Sequence, residues 1–188
     1  MSDKTATAGQ GALLIGGVLL LAVVLGVSVL PAFNPPKSKL LGLPAPDFML
    51  PVMTGGEPGN RVRLSDLRGK AVVLDFWASW CAPCRAQAPV IDHFARTNQG
   101  KDVVVLGIDT SGDDWGRALE FAKGHGLSYT TLFDENDHVL SAFRVQMLPT
   151  LVVVDRAGVI SSVRTRTVPE QELNELVGKA LASGPKGS

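Results

Sequence analysis

Residues 71–84 read AVVLDFWASWCAPC, and this stretch decides the fold of the chain. Its first seven residues, 71–77, are apolar apart from Asp75, which predicts a strand that is buried on both faces of a sheet. Cys81 and Cys84 follow, and they are the only two cysteines in 188 residues. Two thiols at this spacing, where a strand passes into a helix, can form and break a disulfide with little backbone movement. The stretch therefore predicts redox chemistry.

Outward from this stretch, apolar runs and helical stripes predict strands that alternate with helices. Further strands are predicted at 103–108, 129–132, 151–154 and 159–163, with short ones at 62–64 and at the end of the 41–50 segment. Helices are predicted at 83–97 (kinked at Pro89), from Asp113 or Asp114 to Lys123, at 136–143 and at 169–181. This order, which ends in a hairpin and a helix, predicts an α/β fold with a mixed sheet.

An uncharged stretch, residues 11–30, precedes the predicted domain. About 20 apolar residues cross a bilayer as a helix, so the stretch predicts one transmembrane anchor. A cleaved secretory signal is the alternative, but such signals have an apolar core of about 7–15 residues and an Ala-x-Ala-like site, which does not follow here. We predict a tail at 1–10, the anchor at 11–30, a linker at 31–40, the domain at 41–182 and a disordered tail at 183–188.

The charge of the chain is balanced, with 18 basic and 18 acidic residues and a formal net charge of zero. This balance gives no indication of a nucleic-acid partner. Lys37 and Lys39 follow the apolar stretch, whereas Asp3 and Lys4 precede it, so the positive-inside rule leans slightly against a cytoplasmic amino terminus. The orientation therefore has to be inferred from other features.

Residues 74–85, LDFWASWCAPCR, resemble the active-site segment of thioredoxin-fold proteins. Residues 147–150, MLPT, resemble the cis-proline loop of that fold. The lead-in GLPAPDF at 42–48, the LSDLRGK stretch at 64–70 and the apolar anchor narrow the resemblance to the TlpA/ResA/CcmG (DsbE) type of the AhpC/TSA-redoxin superfamily. That type comprises membrane-anchored thiol–disulfide oxidoreductases of bacteria. The resemblance covers about 41–181 and implies a thioredoxin fold with an inserted strand and helix, for which 107–143 is long enough.

The cysteine pair has two distinct roles in this reading. A helix amino terminus stabilises a thiolate through unpaired N–H groups and the macrodipole, so Cys81 is expected to be the exposed attacking sulfur. Cys84 is expected to be buried and to resolve the mixed disulfide, and the pair forms the redox-active disulfide Cys81–Cys84. The alternatives are an inert buried thiol pair and half of a zinc site, but zinc needs about four ligands. The histidines form no ligand pattern and are expected at the surface (His93, His125, His138), so neither a metal nor another cofactor is predicted.

Two polar residues near the thiols extend the prediction. Burial inside its strand should raise the pKa of Asp75, and by resemblance this acid relays a proton to or from Cys84. The alternative is an acid that only makes a hydrogen bond in the core.

Gln87 departs from the family, in which ResA-type proteins often have Glu three residues after the second cysteine. Because Gln does not titrate, any proton handling by that Glu should be absent here.

The expected substrate surface surrounds the cysteine pair. The resemblance implies a cis peptide bond before Pro149, which leaves the Leu148 backbone free to pair with an extended substrate. The candidate substrate-binding residues are Trp80, Ala82, Pro83, Leu148 and Pro149. Trp77 is expected to pack in the core. Three acids resemble a carboxylate cluster, but helix capping explains them more simply (Asp109, Asp113, Asp114).

The resemblance implies a thiol–disulfide oxidoreductase in the cytoplasmic (inner) membrane, single-pass, with its catalytic domain facing the periplasm. It is expected to reduce disulfides of partner proteins, such as apocytochrome c or a copper-site protein, and to be reduced by a membrane electron donor. One alternative is a peroxiredoxin-like peroxidase, whose motif has Thr three and Pro seven residues before the cysteine; Ala78 and Leu74 stand there instead. Another is a copper chaperone of the Sco type, whose Cys-x-x-x-Cys motif is one residue longer.

Overall fold

The computed structural model describes residues 15–24, 38–110 and 112–184, and the chain divides into two compact units, 1–37 and 38–188. In the first unit, residues 15–24 form helix α1. Among the described residues, no helix combines the length and the apolar character that crossing a bilayer requires. Most of the predicted amino-terminal organisation lies outside the described residues, namely the tail at 1–10, both ends of the anchor and the linker up to 37. So do the last four residues of the chain, 185–188.

The second unit is built on one seven-stranded mixed sheet in the order β2-β1-β5-β4-β3-β6-β7. Strands β3, β4 and β5 are parallel, whereas β1, β6 and β7 pair antiparallel with their neighbours. The strands are β1 (Met49–Thr54), β2 (Arg61–Arg63), β3 (Ala71–Trp77), β4 (Val103–Asp109), β5 (Thr130–Phe133), β6 (Thr150–Val154) and β7 (Ile160–Arg164). The prediction of an α/β fold with a mixed sheet is confirmed.

The described residues of this unit also form the helices α2 (Ala82–Thr97), α3 (Trp115–Gly124), α4 (His138–Ala142) and α5 (Glu170–Ala182). A short 3-10 helix, Leu64–Leu67, lies where a turn was predicted. Helix α3 begins after Asp114, whose carboxylate accepts the Arg117 N–H at 3.0 Å. Capping by Asp114 is thereby confirmed, whereas Asp113 makes other contacts. Helix α3 and strand β5 fall within the range expected for the inserted element.

Strand β3 runs through the centre of the sheet, and all seven of its residues are buried. Ala71, Val73 and Trp77 belong to one apolar cluster, which also contains the buried faces of α2, α3 and α5. The alternate residues face a second cluster, formed with α4 and the 40–52 segment. Because side chains alternate along a strand, Asp75 points towards the α2 side of the sheet. The carboxyl end of β3 thus delivers the chain directly to the amino terminus of α2.

Candidate active site

The two cysteines form a disulfide where β3 passes into α2. Cys81 is the N-cap of this helix, and its sulfur accepts the Cys84 backbone N–H at 3.2 Å. Its carbonyl accepts the Cys84 and Arg85 N–H groups at 3.1 and 3.3 Å. The Cys84 N–H therefore points at the Cys81 sulfur, where it and the helix dipole would stabilise a thiolate once the disulfide is reduced. Pro83 lies within the first turn, in which a missing N–H leaves no hydrogen bond unmade.

The expectation that Cys81 is exposed is wrong for the disulfide form, because Cys81 and Cys84 are each only 3% exposed. Cys81 is nevertheless one of the residues that line a surface groove of about 410 Å³, and Cys84 is not. The other lining residues are Trp80, Ala82, Pro83, Leu140, Val145, Gln146, Met147 and Leu148. Recessed at the base of an open groove, Cys81 is the sulfur that a bound polypeptide would meet first.

The groove brings together most of the candidate substrate-binding residues. The Leu148–Pro149 peptide bond is cis, as predicted. Leu148 is half-buried in the groove wall, while Pro149 is buried behind it. Trp80 and Met147 form an exposed apolar rim at 55% and 59% exposure. This combination of an apolar rim and a recessed disulfide suits an extended peptide with an apolar side chain next to its own disulfide.

Asp75 is buried on the α2 side of β3, as its position in an apolar strand predicts. Its Oδ2 accepts the Tyr129 hydroxyl at 3.4 Å, and its Oδ1 has no hydrogen-bond partner among the described residues. Burial raises the pKa of Asp75 to about 7, and the Tyr129 hydrogen bond opposes this shift only partly. A group with this pKa can take up or release a proton near neutral pH.

Aromatic side chains pack closely around Asp75 and the neighbouring strand β4. Trp77 is 2% exposed and stacks on Phe121 with ring centroids 4.6 Å apart, which confirms its predicted place in the core. A Cβ atom at Gly107 would lie 2.9 Å from both the Trp77 indole nitrogen and the Tyr129 ring. Only glycine at this position lets the two aromatic side chains meet over the strand beside Asp75.

Gln87 is held by the main chain ahead of α5 rather than being free near the thiols. It is 3% exposed. Its Nε2 donates to the Val168 carbonyl at 3.0 Å, and its Oε1 accepts the Val168 N–H at 2.6 Å. An amide satisfies both groups of one peptide at once, because it supplies a donor and an acceptor. Gln87, at a position where the family often has Glu, thus links α2 to the residues that lead into α5 through an uncharged side chain. We call this pair of hydrogen bonds to Val168 the clamp.

Replacing Gln87 by Glu is expected to destabilise the protein at alkaline pH and to leave it near wild-type stability at low pH. A protonated Glu can still donate to the Val168 carbonyl, but an ionised one cannot, and leaving that group unpaired costs about 1–3 kcal/mol. Urea unfolding between pH 4 and 9 measures the difference. The matched control is Gln99→Glu, since Gln99 lies exposed in the turn after α2. A constant difference between Gln87→Glu and wild type across this range would contradict the clamp.

Two features of the site were not predicted from the sequence, namely the contact of Asp113 with Ser79 and the burial of Asp109. Asp113, expected as a helix cap, accepts the Ser79 backbone N–H at 2.5 Å and the Ser79 hydroxyl at 2.9 Å. Asp109, at the end of β4, is fully buried. The burial of Asp109 could have been predicted, because this acid ends an apolar strand. The contact of Asp113 could not, because the sequence around Asp113 does not indicate a partner 34 positions away. The three histidines are exposed, as expected.

Comparison with known proteins places this fold and site in one family. The AhpC/TSA family model matches residues 41–163. Among curated proteins, the chain is 32% identical to the thiol-disulfide oxidoreductase ResA of Geobacillus thermodenitrificans over 159 residues, which is 84% of this chain and 88% of that protein. Both the cysteine pair and the cis-proline loop described above lie within the family match.

Solved structures agree with this assignment. A structure described as a thiol:disulfide interchange protein DsbE from Chlorobium tepidum aligns with a TM-score of 0.67 and 31% identity, covering 79% of this chain and 99% of that chain. A secreted disulfide oxidoreductase of Mycobacterium tuberculosis, homologous to E. coli DsbE, aligns with a TM-score of 0.61 and 27% identity over 70% of this chain and 95% of that chain. The chain therefore belongs to the AhpC/TSA family and, within it, to the thioredoxin-like thiol–disulfide oxidoreductases that include ResA.

Proposed function

We propose that this oxidoreductase works outside the cytoplasm as a reductant of protein disulfides, with Cys81 as nucleophile and Cys84 as resolving cysteine. The observation that carries the proposal is the position of Cys81. It caps α2, accepts the Cys84 N–H at its sulfur and alone of the pair lines the open groove. A thiolate at this position is both stabilised and accessible to a docked polypeptide.

The reaction balances over two exchange steps. The Cys81 thiolate attacks one sulfur of the partner disulfide, a mixed disulfide forms, and the second partner sulfur leaves as a thiolate. The Cys84 thiol then loses its proton and attacks the Cys81 sulfur. This step closes the Cys81–Cys84 disulfide and releases the first partner sulfur. Two electrons have passed to the partner, and a membrane dithiol donor restores the enzyme by the reverse exchange.

Asp75 is proposed to accept the Cys84 proton during the second step. Asp75 faces the α2 side of the sheet, where Cys84 packs in the same apolar cluster as Trp77. A carboxyl group with a pKa near 7 is suited to accept and return a proton at neutral pH. Trp80, Ala82, Pro83 and Leu148 are proposed to contact the substrate in the groove, with Pro149 supporting Leu148 from behind.

The proposal also includes where in the cell the protein works and which partners it reduces. Residues 11–30 are uncharged and apolar over the length of a membrane span, and we propose that they anchor the domain at 41–182 through a linker at 31–40. The resemblance to ResA and to a secreted mycobacterial oxidoreductase supports a domain on the extracytoplasmic side of the cytoplasmic membrane. The proposed partners there are apocytochrome c, whose haem-binding thiols must be reduced, or the copper site of an oxidase.

A trapping experiment tests this function. The full-length Cys84→Ala variant, expressed with its apolar amino terminus in a bacterium, should accumulate mixed disulfides through Cys81, because no resolving thiol remains. Mass spectrometry after membrane fractionation identifies the partners, and a Cys-x-x-Cys-His peptide among them would indicate cytochrome maturation. The Cys81→Ala/Cys84→Ala double variant is the control. Adducts confined to cytoplasmic proteins, or equally abundant in the control, would overturn the proposal.

A further inference from the structure

The loop between β3 and α2 is held from outside by one side chain. Ser79, two residues before Cys81, donates its backbone N–H to Asp113 Oδ2 at 2.5 Å and its hydroxyl to Asp113 Oδ1 at 2.9 Å. Arg85 of α2 donates to the Ser79 carbonyl at 3.3 Å. Every polar group of Ser79 is therefore engaged. The main chain that leads to Trp80 and Cys81 is thus fastened to the connection between β4 and α3.

Asp109 lies beside this fastening with its carboxyl group buried. It ends β4, pairs in register with Trp77 and has no exposed surface. Neither of its carboxyl oxygens receives a hydrogen bond of good geometry from a donor in the described parts of the chain. Its polar neighbours are the carboxyl group of Asp113 and the backbone N–H of Thr110, which donates to the Trp77 carbonyl at 3.1 Å. Two adjacent carboxyl groups can form a hydrogen bond only when one of them keeps its proton.

The contacts determine which acid keeps the proton. Asp113 accepts two hydrogen bonds from Ser79 and a third from the Asp114 N–H at 3.0 Å, so its oxygens serve as acceptors. Asp109 is fully buried, and burial outweighs the nearby Thr110 N–H and favours the neutral form of Asp109. The proton therefore sits on Asp109, from which it can be donated to Asp113.

We propose that Asp113 and Asp109 are positioning residues for thiol–disulfide exchange: Asp113 holds Ser79 and hence the Cys81 loop, and neutral Asp109 holds Asp113. The role assigned to Cys81 rests on the proposed function above. The placement of Ser79 by the two acids does not. Neither acid is expected to contact the substrate, because neither belongs to the lining of the groove. The two acids act only through the geometry of the loop that carries the nucleophile.

The pair of Asp109 and Asp113 should hold the Cys81 loop only up to a certain pH. Burial, together with the neighbouring charges of Asp113 and Asp137, raises the pKa of Asp109 to about 9. The charged groups that face the pair are Asp113 from the connection before α3, Asp137 from the residue before α4, and Arg85 from α2 across Ser79. Above this pKa, Asp109 becomes a second anion against Asp113, and repulsion should loosen the hold on Ser79.

The test compares pH profiles of insulin disulfide reduction by the full-length chain between pH 6.5 and 9.5. Asp109→Asn keeps an amide donor for Asp113 but cannot ionise, so the ratio of its rate to the wild-type rate should rise from about one at pH 7 to about fourfold at pH 9.5, where about three quarters of the wild-type Asp109 is ionised. Taking the ratio cancels the titrations of Cys81 and Asp75, which both proteins share. Asp113→Asn should be about tenfold slower than wild type already at pH 7, and Ser79→Ala should lose less.

Asp114→Asn is the matched control, because Asp114 lies in the same connection but caps α3 and pairs with Arg117. Its profile should follow wild type within about twofold, since Asn also caps helices well. The Ser79 amide resonance supplies a readout independent of activity. It should shift between pH 7 and 9.5 in wild type and stay constant in Asp109→Asn.

Coinciding profiles for wild type and Asp109→Asn, or a Ser79 resonance that does not move with pH in wild type, would overturn the positioning role. If Asp113→Asn does not fold, the Asp109→Asn ratio and the Ser79 resonance still decide the question. Failure of wild type itself to reduce insulin would overturn the proposed function instead. The pH dependence of the Ser79 resonance would then still test whether the two acids hold the loop.

Discussion

Replacement of Cys81 by Ala is expected to abolish disulfide reduction, with a loss on the order of a thousandfold or more in the rate of insulin reduction. The reason is that Cys81 is the sulfur which both caps α2 and lines the groove. Without it, the remaining thiol of Cys84 does not line the groove in which a disulfide would dock.

The matched comparison is Cys84→Ala, because each variant lacks the disulfide and retains one thiol. In a single-turnover reaction with a fluorescent peptide disulfide, Cys84→Ala should form a stable mixed disulfide and Cys81→Ala should not. Urea unfolding of both variants shows whether they have lost the same stability with the cross-link. If Cys81→Ala formed the mixed disulfide and Cys84→Ala did not, the roles of nucleophile and resolving cysteine would be reversed.

Replacement of Asp75 by Asn is expected to stabilise the oxidised protein and to slow exchange. The sign follows from the direction of the pKa shift, since burial raises the pKa of Asp75 from 3.8 to about 7. The folded protein therefore holds a proton that the unfolded chain releases between about pH 4 and 7. Wild-type stability falls as pH rises through this window, by up to about 1.4 kcal/mol per pH unit. Asn removes this dependence, so the variant should gain up to about 4 kcal/mol above pH 7 and nothing below pH 4.

Urea unfolding between pH 3.5 and 8.5 measures this gain, and the pH dependence of insulin reduction measures the catalytic part. The rate of Asp75→Asn should be about a hundredfold lower near neutral pH, which is the lower end of the roughly hundred- to ten-thousandfold that a positioned general base contributes. Asp92→Asn is the control of opposite sign. Hydrogen bonds from Ser128 and Arg96 outweigh burial and hold the pKa of Asp92 below its usual value of 3.8. The variant should therefore be less stable than wild type by a nearly constant amount above about pH 4, and the difference should shrink only at lower pH. A gain without any change in the rate profile would leave Asp75 with a structural role only.

The central elements follow from short stretches of sequence. The apolar run 71–77 is a buried strand, as predicted, and the helix after Cys81 begins one residue before the predicted range 83–97 and ends where predicted. Strands β6 and β7 form the predicted hairpin. These predictions succeeded because each depends on residues within a few positions of one another, through side-chain periodicity, turn geometry and the helix start.

Short helices and side-chain roles were less predictable. Helix α4 is five residues long where eight were expected, and β5 begins one residue later than predicted, because element ends depend on the neighbours against which they pack. The exposure expected for Cys81 was wrong for the same reason. How much water reaches its sulfur is decided by the groove walls at residues 140–148, about sixty positions further along the chain.

The sequence by itself determined the redox pair, its place at the start of a helix and the family to which the chain belongs. Only the tertiary structure decided what surrounds that pair: Asp113 on Ser79 across 34 positions, Tyr129 on Asp75 across 54, and Gln87 on Val168 across 81. Each of these contacts exists because the register of the sheet and the packing of helices on it bring distant polar groups within hydrogen-bond distance. Periodicity within a segment contains no information about that register between segments.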